Sequence, residues 1–411
     1  MLNSKRLHQD FPILTNSSQG EKLVYLDSAA TSQKPQSIID AITNYYQTSN
    51  ANVHRGVHKL SDESTAIWQK SRETIASFFG AESLELILLR NTTEAINGIA
   101  YGWGDHNLLA GDIIVTTLME HHSNFVVWQE LAKRTGAKIE IVAVTENGEL
   151  DLESLSEKLS LEKVKLLALT HVSNTLGTLN PITKIVRQAR ELNPNIRIVL
   201  DAAQSAPHLP INFKNLDVDF LAFSGHKMLG PMGSGGMLVR KELLSSGEMK
   251  PWLFGGGMID SVAVEKTTYS SDLSERFTAG TPDVASAVGL AAACDYLNNL
   301  GMENVREHDE MLVQYALKKL IDLPELTVVG PRSNRVGSVA FLYNNVHAHD
   351  VAQILDSQNI AVRSGHHCTM PLHTAFSWPA TVRASFNVYN TTEDIDALVL
   401  GLEKVKEVFR V

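Results

Sequence analysis

From about residue 84 the chain alternates short apolar runs with stretches of helical periodicity: "ELILLR", a helical pattern from Thr93, "DIIVTT", a second from about Ser123, then "KIEIVAV", "KLLALTHV", "RIVLDAA" and "DFLAFSG". Runs that stay apolar throughout, rather than on every second residue, belong to strands covered on both faces. Helical patterns between them supply the crossovers of a mostly parallel sheet, so the chain is expected to be α/β. In "LALTHVSN", "IVLDAAQS" and "LAFSGHK" reactive side chains begin where the apolar run stops. Open α/β sheets bind ligands beyond the carboxyl ends of their strands, and one cleft is expected to collect these residues.

The rhythm changes further on. "FGGGM" and "AGTPD" bracket a polar crossing segment, and the apolar helix "VASAVGLAAACDYLNNL" follows. After it, long helices surround the short strands "TVVG", "GSVAFL", "IAVRSG" and "VRASF". That pattern suggests a larger α/β unit over 21–296 and a smaller α+β unit over 297–411, joined by the N-terminal segment 1–20; 411 residues are enough for both. With a net charge of -10 and no run of five or six basic residues, neither nucleic acid nor an anionic membrane is the expected partner. Two cysteines, Cys294 and Cys368, make no disulfide framework and fit no paired zinc spacing. The N-terminus lacks the apolar core of a secretory signal, and no window reaches the ~18 apolar residues of a spanning helix. A reducing, cytoplasmic home is the expectation.

Four stretches carry candidate chemistry. In "SGHK" a lysine, Lys227, closes an apolar strand and is followed by the glycine-rich "MLGPMGSGG". Such a lysine is most often a solvated strand end, but a desolvated amine is a nucleophile able to form a Schiff base. In "VLDAAQS" Asp201 is by itself an ordinary helix cap. With Lys227 26 residues on, after one further strand, the two return to one sheet edge. A strand-end carboxylate and a Schiff-base lysine are what pyridoxal phosphate requires, since the carboxylate keeps the pyridine nitrogen protonated and the ring acts as an electron sink. "RNTTEAIN" starts a helix at Thr92 or Thr93, as a plain cap or as a phosphate cup. "MEHHSN" offers His121 and His122 without the carboxylate spacing of a metal site, so an imidazole stacked on a cofactor ring competes with a metal reading.

These motifs, together with "THVSNTLGT", "AGTP", "HRGVH" and "RSGHHC", resemble in order and spacing the pyridoxal-phosphate-dependent cysteine desulfurases of the class V aminotransferases. The likeness runs from "LDSAAT" to the last helix and points to the SUF-type, group II branch, because the cysteine lies in "SGHHC" rather than in a longer loop with "SxxC". It implies a fold type I transferase, pyridoxal 5'-phosphate as cofactor, and Lys227, Cys368 and His121 as catalytic residues. Asp201 is implied at the pyridine nitrogen, Gln204 at the phenolic oxygen and His121 on the ring face. Thr93, Ser224 and His226 are implied at the phosphate, with Thr281 reaching it from a second subunit. Asn174 and Arg383 match substrate-carboxylate positions; Arg363, His54 and Arg55 complete the substrate side, the last two near a dimer interface. One departure is Asn91, where glycine is the more usual residue; if the turn needs positive φ, asparagine is the least costly substitute.

The implied activity converts L-cysteine to L-alanine and leaves sulfur on Cys368 as a persulfide. Arg363 with His366 or His367 would supply the cations that favour a thiolate there. A homodimer, a SufE- or SufU-like acceptor and iron–sulfur cluster assembly follow from the resemblance alone. Selenocysteine lyase and another aminotransferase-like enzyme remain the neighbouring readings, and a non-catalytic sulfur carrier the distant one. Zinc on His366, His367, Cys368 and His373 would crowd four ligands into eight residues, and no metal is expected. Cys294 reads as a buried helix residue.

Overall fold

The apolar runs become the strands of a seven-stranded sheet in the computed structural model, which describes residues 2–15, 22–54 and 56–410. After a short strand β1 (Val24–Tyr25) come β2 (Leu86–Leu89), β3 (Ile113–Thr117), β4 (Lys138–Val142), β5 (Val164–Thr170), β6 (Arg197–Asp201), β7 (Phe220–Ser224) and β8 (Gly235–Val239). The sheet order is β2-β8-β7-β6-β5-β3-β4; β8 runs antiparallel to both neighbours and every other pairing is parallel.

Why the runs are continuously apolar is visible in the packing. Along β5, Leu167 and Leu169 face one core while Leu166 and Ala168 face another; along β7, Leu221 and Phe223 divide from Phe220 and Ala222 in the same way. Side chains alternate across a sheet, so a strand with a helical layer on each face needs apolar residues at every position. On one side the cover includes Ile185, Leu290 and Leu297; on the other Ile96, Trp128 and Leu131. The edge strand β4 keeps a charged face, with Lys138 exposed and Glu140 half-buried, which discourages pairing with another chain.

An exposed hairpin, β9 (Ile259–Val262) with β10 (Thr267–Tyr269), occupies the polar crossing segment. The second sheet is antiparallel and four-stranded, in the order β11-β12-β15-β14, from β11 (Leu326–Val329), β12 (Ser338–Tyr343), β14 (Arg363–Gly365) and β15 (Thr381–Ser385); β13 (Ile360–Ala361) pairs instead with β1. It has its own core, built on Phe341, Val382, Phe386, Leu312 and Leu398. The N-terminal segment reaches both parts: Phe11 and Leu14 pack into the larger core, whereas Lys5 pairs with Glu393 of the last helix.

Buried contacts fasten the two sheets together. His208 Nδ1 lies 3.0 Å from Asp309 Oδ1, and the other oxygen of Asp309 accepts the Gly337 N–H at 2.9 Å. Gly337 has φ 71°, and a Cβ there would come within 2.9 Å of the His208 ring. Its left-handed backbone and the close approach both require glycine. With that seam closed, the carboxyl ends of β5, β6 and β7 face β14, β15 and the loop that carries Cys368.

Candidate active site

A cleft of about 220 Å³ lies between the two sheets. On its far wall Ser224 ends β7 and accepts a hydrogen bond from the Thr92 amide at 2.9 Å, with the Thr92 hydroxyl 2.8 Å away. This ties the end of β7 to the start of the helix Thr92–Ile99. Asn91 caps that helix, its side chain accepting from the Glu94 amide at 3.0 Å, with φ -176°. The conformation is extended, so the residue is there to cap rather than to satisfy a left-handed turn, and the condition attached to it in the sequence does not arise. The Thr93 hydroxyl sits 2.6 Å from that of Ser123. Helix-start amides and hydroxyls of this kind can hold an anion. His226 approaches the same wall with Nδ1 3.3 Å from the Thr31 hydroxyl, and burial pulls its pKa down to about 4.

The floor holds Asp201, Lys227 and His121. Asp201 ends β6, is 4% exposed, and spends one oxygen on the Ala203 amide at 2.9 Å. Lys227 closes the tight turn after β7, and no hydrogen-bond partner among the described residues meets its amine. Burial raises the pKa of Asp201 and lowers that of Lys227 to about 8; Asp201 pulls the lysine back up, but desolvation outweighs that attraction. His121 accepts the Ser123 amide on Nδ1 at 3.1 Å, and burial, with Lys227 nearby, lowers its pKa to about 3. It is a neutral ring at the edge of the cleft. Gln204 lines the same floor, with one N–H already given to the Ala29 carbonyl at 2.9 Å.

Beneath the floor is a carboxyl that sequence reasoning passed over. Glu120 is 1% exposed and accepts from the Thr117 hydroxyl at 2.5 Å, the Thr170 amide at 3.0 Å and the Asn124 amide at 2.5 Å. Burial nonetheless pushes its pKa up to about 8. Thr170 is the β5 residue paired with Asp201 in β6, so Glu120 braces the strand beside Asp201 and the turn that carries His121. The one local hint was its place just before the histidine pair in "MEHHSN".

The near wall comes from the second sheet. Arg383 of β15 is 2% exposed; it donates to the Asn174 carbonyl at 2.7 Å and to Asp27 at 3.1 Å, and among the described residues its Nε has no partner. Arg363 lies opposite it in β14. The loop after β14 places His367 at φ 47° and Cys368 at φ 59°, both left-handed. Asn174 donates to the His367 carbonyl at 2.6 Å, and Cys368, part-exposed, lines the cleft. His367 is not the cation proposed from the sequence: burial and Arg383 bring its pKa to about 2, and Nε2 shares a 2.9 Å hydrogen bond with the Thr381 hydroxyl. Among the described residues no cluster of three or more His, Cys, Asp or Glu is arranged to hold a metal ion.

Two expected residues stand elsewhere within the single chain. Thr281 lines a separate groove with Trp68 and Phe277, and His54, with φ 73°, lies 3.6 Å from Glu275. Arg55 lies outside the described residues. Cys294 is 0% exposed inside its helix, and burial pushes its thiol far up.

Pyridoxal phosphate suits this lining on chemical grounds. Among the described residues, an amine without a hydrogen-bond partner, a buried carboxyl with one oxygen not hydrogen-bonded, a neutral ring and a helix start able to hold an anion line one cavity.

Comparison with known proteins agrees. The family model for aminotransferase class-V matches residues 24–398. A probable cysteine desulfurase of Streptomyces coelicolor is 46% identical over 417 residues, covering 100% of this chain and 98% of that protein. A cysteine desulfurase of Haloferax volcanii is 43% identical, covering 98% and 97%. Among solved structures, the apo cysteine desulfurase from Thermococcus onnurineus NA1 superposes with a TM-score of 0.93 at 38% identity, over 98% of each chain. Full-length likeness of this degree, joined to a cleft suited to the cofactor, places the chain in the class V aminotransferase family, among its pyridoxal-phosphate-dependent cysteine desulfurases.

Proposed function

We propose that this cleft takes free L-cysteine, moves its sulfur to Cys368 as a persulfide and releases L-alanine. One observation carries the assignment of residues: Lys227, Asp201 and Cys368, from distant parts of the chain, line the same cavity.

Bound pyridoxal phosphate supplies an electron sink that acidifies the substrate α-carbon. Ser224, Thr93 and His226 would hold its phosphate, Asp201 its ring nitrogen, Gln204 its phenolic oxygen and His121 its face. Lys227 would hold it covalently until substrate binds. The freed amine, pulled down to about 8, then suits a base near neutral pH and takes the α-proton. Arg383, Arg363 and Asn174 orient the substrate carboxylate. Cys368 attacks as a thiolate: its sulfur bonds to the substrate sulfur, the substrate C–S bond breaks, and the electron pair left on carbon is protonated to complete alanine.

The branch and setting belong to the same proposal. The "SGHHC" loop supports a SUF-type enzyme that passes its persulfide to a small SufE- or SufU-like acceptor and so supplies iron–sulfur cluster assembly. Use of L-selenocysteine is the neighbouring alternative. A homodimer would bring Thr281 and the His54–Arg55 loop to the other subunit's cleft; Thr281 standing outside its own cleft supports this, as do the exposed Phe254 and Val264 near the hairpin. Separate apolar cores support two units, proposed at 21–296 and at 297–411; of the segment 1–20, proposed with the smaller unit, Lys5 reaches that unit while Phe11 and Leu14 pack with the larger. A cytoplasmic location agrees with the cysteine usage; among the described residues no helix is long and apolar enough to cross a membrane.

The test is to incubate the protein, loaded with cofactor, with cysteine and a reductant, and to measure alanine and sulfide for wild type, Cys368→Ala and Lys227→Ala. Both substitutions should abolish turnover. Full sulfide release by Cys368→Ala would end the persulfide assignment. A parallel assay with selenocysteine separates the neighbouring reading, and light scattering reports the oligomer.

A further inference from the structure

His122 is used neither by the cleft nor by the family resemblance, although it touches the nucleophile loop twice. Its backbone N–H donates to the Cys368 carbonyl at 2.8 Å. Its ring Nε2 lies 3.1 Å from the Met370 amide, two residues after Cys368, where the loop passes into the helix Met370–Ala375. An amide N–H can only donate, so Nε2 must carry its lone pair and the ring must be neutral with its proton on Nδ1. Burial lowers the His122 pKa, with His366 adding to the effect, which favours that form.

The loop needs such a hold. His367 and Cys368 are consecutive non-glycine residues at φ 47° and 59°, a conformation that persists only where the surroundings enforce it. On the other side the loop is held by Asn174 at the His367 carbonyl and by the Thr175 hydroxyl, 2.8 Å from that of Thr369. Those anchors come from the segment after β5, whereas His122 comes from the turn after β3 that also presents His121.

We propose that His122 is a positioning residue for sulfur transfer: its ring, accepting from Met370, clamps the Cys368 loop to the turn that carries His121 and keeps the thiol in line with the substrate sulfur. The inference rests on Cys368 being the persulfide-forming nucleophile.

The distinguishing variant is His122→Gln, whose side-chain oxygen can reach the place of Nε2 and accept the same hydrogen bond; His122→Leu fills similar space and cannot accept. In the cofactor-loaded enzyme, His122→Leu should slow alanine formation by about ten- to a hundredfold, the scale expected of a misplaced reacting group. It should leave the cysteine concentration that half-saturates the cofactor's spectral change within about threefold, and His122→Gln should recover most of the lost rate. Equal rates in the Gln and Leu variants, or wild-type rates in both, would overturn the proposal, as would a loss confined to that half-saturation. Nitrogen-15 NMR of histidine in the unmutated enzyme adds a check that does not depend on a variant folding: Nε2 of His122 should be unprotonated, and a proton there overturns the clamp. Cys368→Ala run alongside keeps the two readings apart. If it retains sulfide release, the nucleophile assignment has failed; if it is inactive while His122→Leu is normal, only the clamp has.

Discussion

Asn174 donates its side-chain amide to the His367 carbonyl at 2.6 Å, while its own backbone carbonyl receives Arg383 at 2.7 Å. One residue after β5 therefore holds both the loop of the nucleophile and the arginine proposed to receive the substrate carboxylate. Its position reads as a substrate contact in the sequence, and the loop contact is added by the fold.

Asn174→Ala should therefore affect more than substrate affinity. It leaves the carbonyl of His367, a 4% exposed residue, without this donor, a loss of about 1–3 kcal/mol in stability. We expect kcat for alanine formation to fall on the order of a hundredfold, because the thiol loses its support. A raised KM with unchanged kcat and unchanged urea denaturation would contradict this.

Glu120→Gln should alter how stability depends on pH. With burial holding the folded pKa near 8, the folded protein binds one more proton than the unfolded chain between about pH 4.5 and 8. Wild type therefore loses stability as pH rises through that window, up to about 5 kcal/mol from this group. The Gln variant should be spared that loss, so its stability relative to wild type should improve from pH 5 to pH 8 in urea titrations. A difference constant with pH would show that Glu120 is charged in the folded state.

Gly337→Ala tests the seam. The added methyl meets the His208 ring, and the backbone is left-handed, so a loss of about 2–4 kcal/mol is expected. Because His208 is displaced toward Asp309, activity should fall in the protein that does fold. Denaturation and turnover measured on one sample decide it; wild-type values for both would mean that the seam yields easily.

The two thiols should separate cleanly under alkylation. Cys368 lines the cleft, whereas Cys294 is 0% exposed and its thiol is pushed up by burial. Iodoacetamide is expected to modify Cys368 in the native enzyme and Cys294 only after unfolding, as read by mass spectrometry of peptides. Native labelling of Cys294 would show that its helix opens.

Much of the site was legible because it obeys a local rule. Asp201, Ser224 and Lys227 each follow a run of apolar residues, and a polar residue placed there lies at the carboxyl end of a buried strand. Glu120 escaped notice because it carries no comparable signal: what sets it apart is three donors supplied by Thr117, Asn124 and Thr170 and its burial from solvent. His367 looked like a cation in "SGHHC" because a sequence does not state burial, and burial makes it neutral. Asn91 looked like a substitute for glycine, yet its backbone is extended and its side chain caps a helix.

By itself the sequence determined the layered α/β plan, since short apolar runs alternating with helical patterns fit strands covered on both faces, and it determined which residue types stand at the strand ends. Tertiary structure decided their chemistry. The charge state of Lys227, His121 and Glu120, the left-handed turn beneath Cys368, and the meeting of β14 and β15 with the ends of β5, β6 and β7 all depend on desolvation and on hydrogen bonds between segments as much as 356 residues apart. Those energies belong to pairs of segments, and no stretch of the chain read alone contains them.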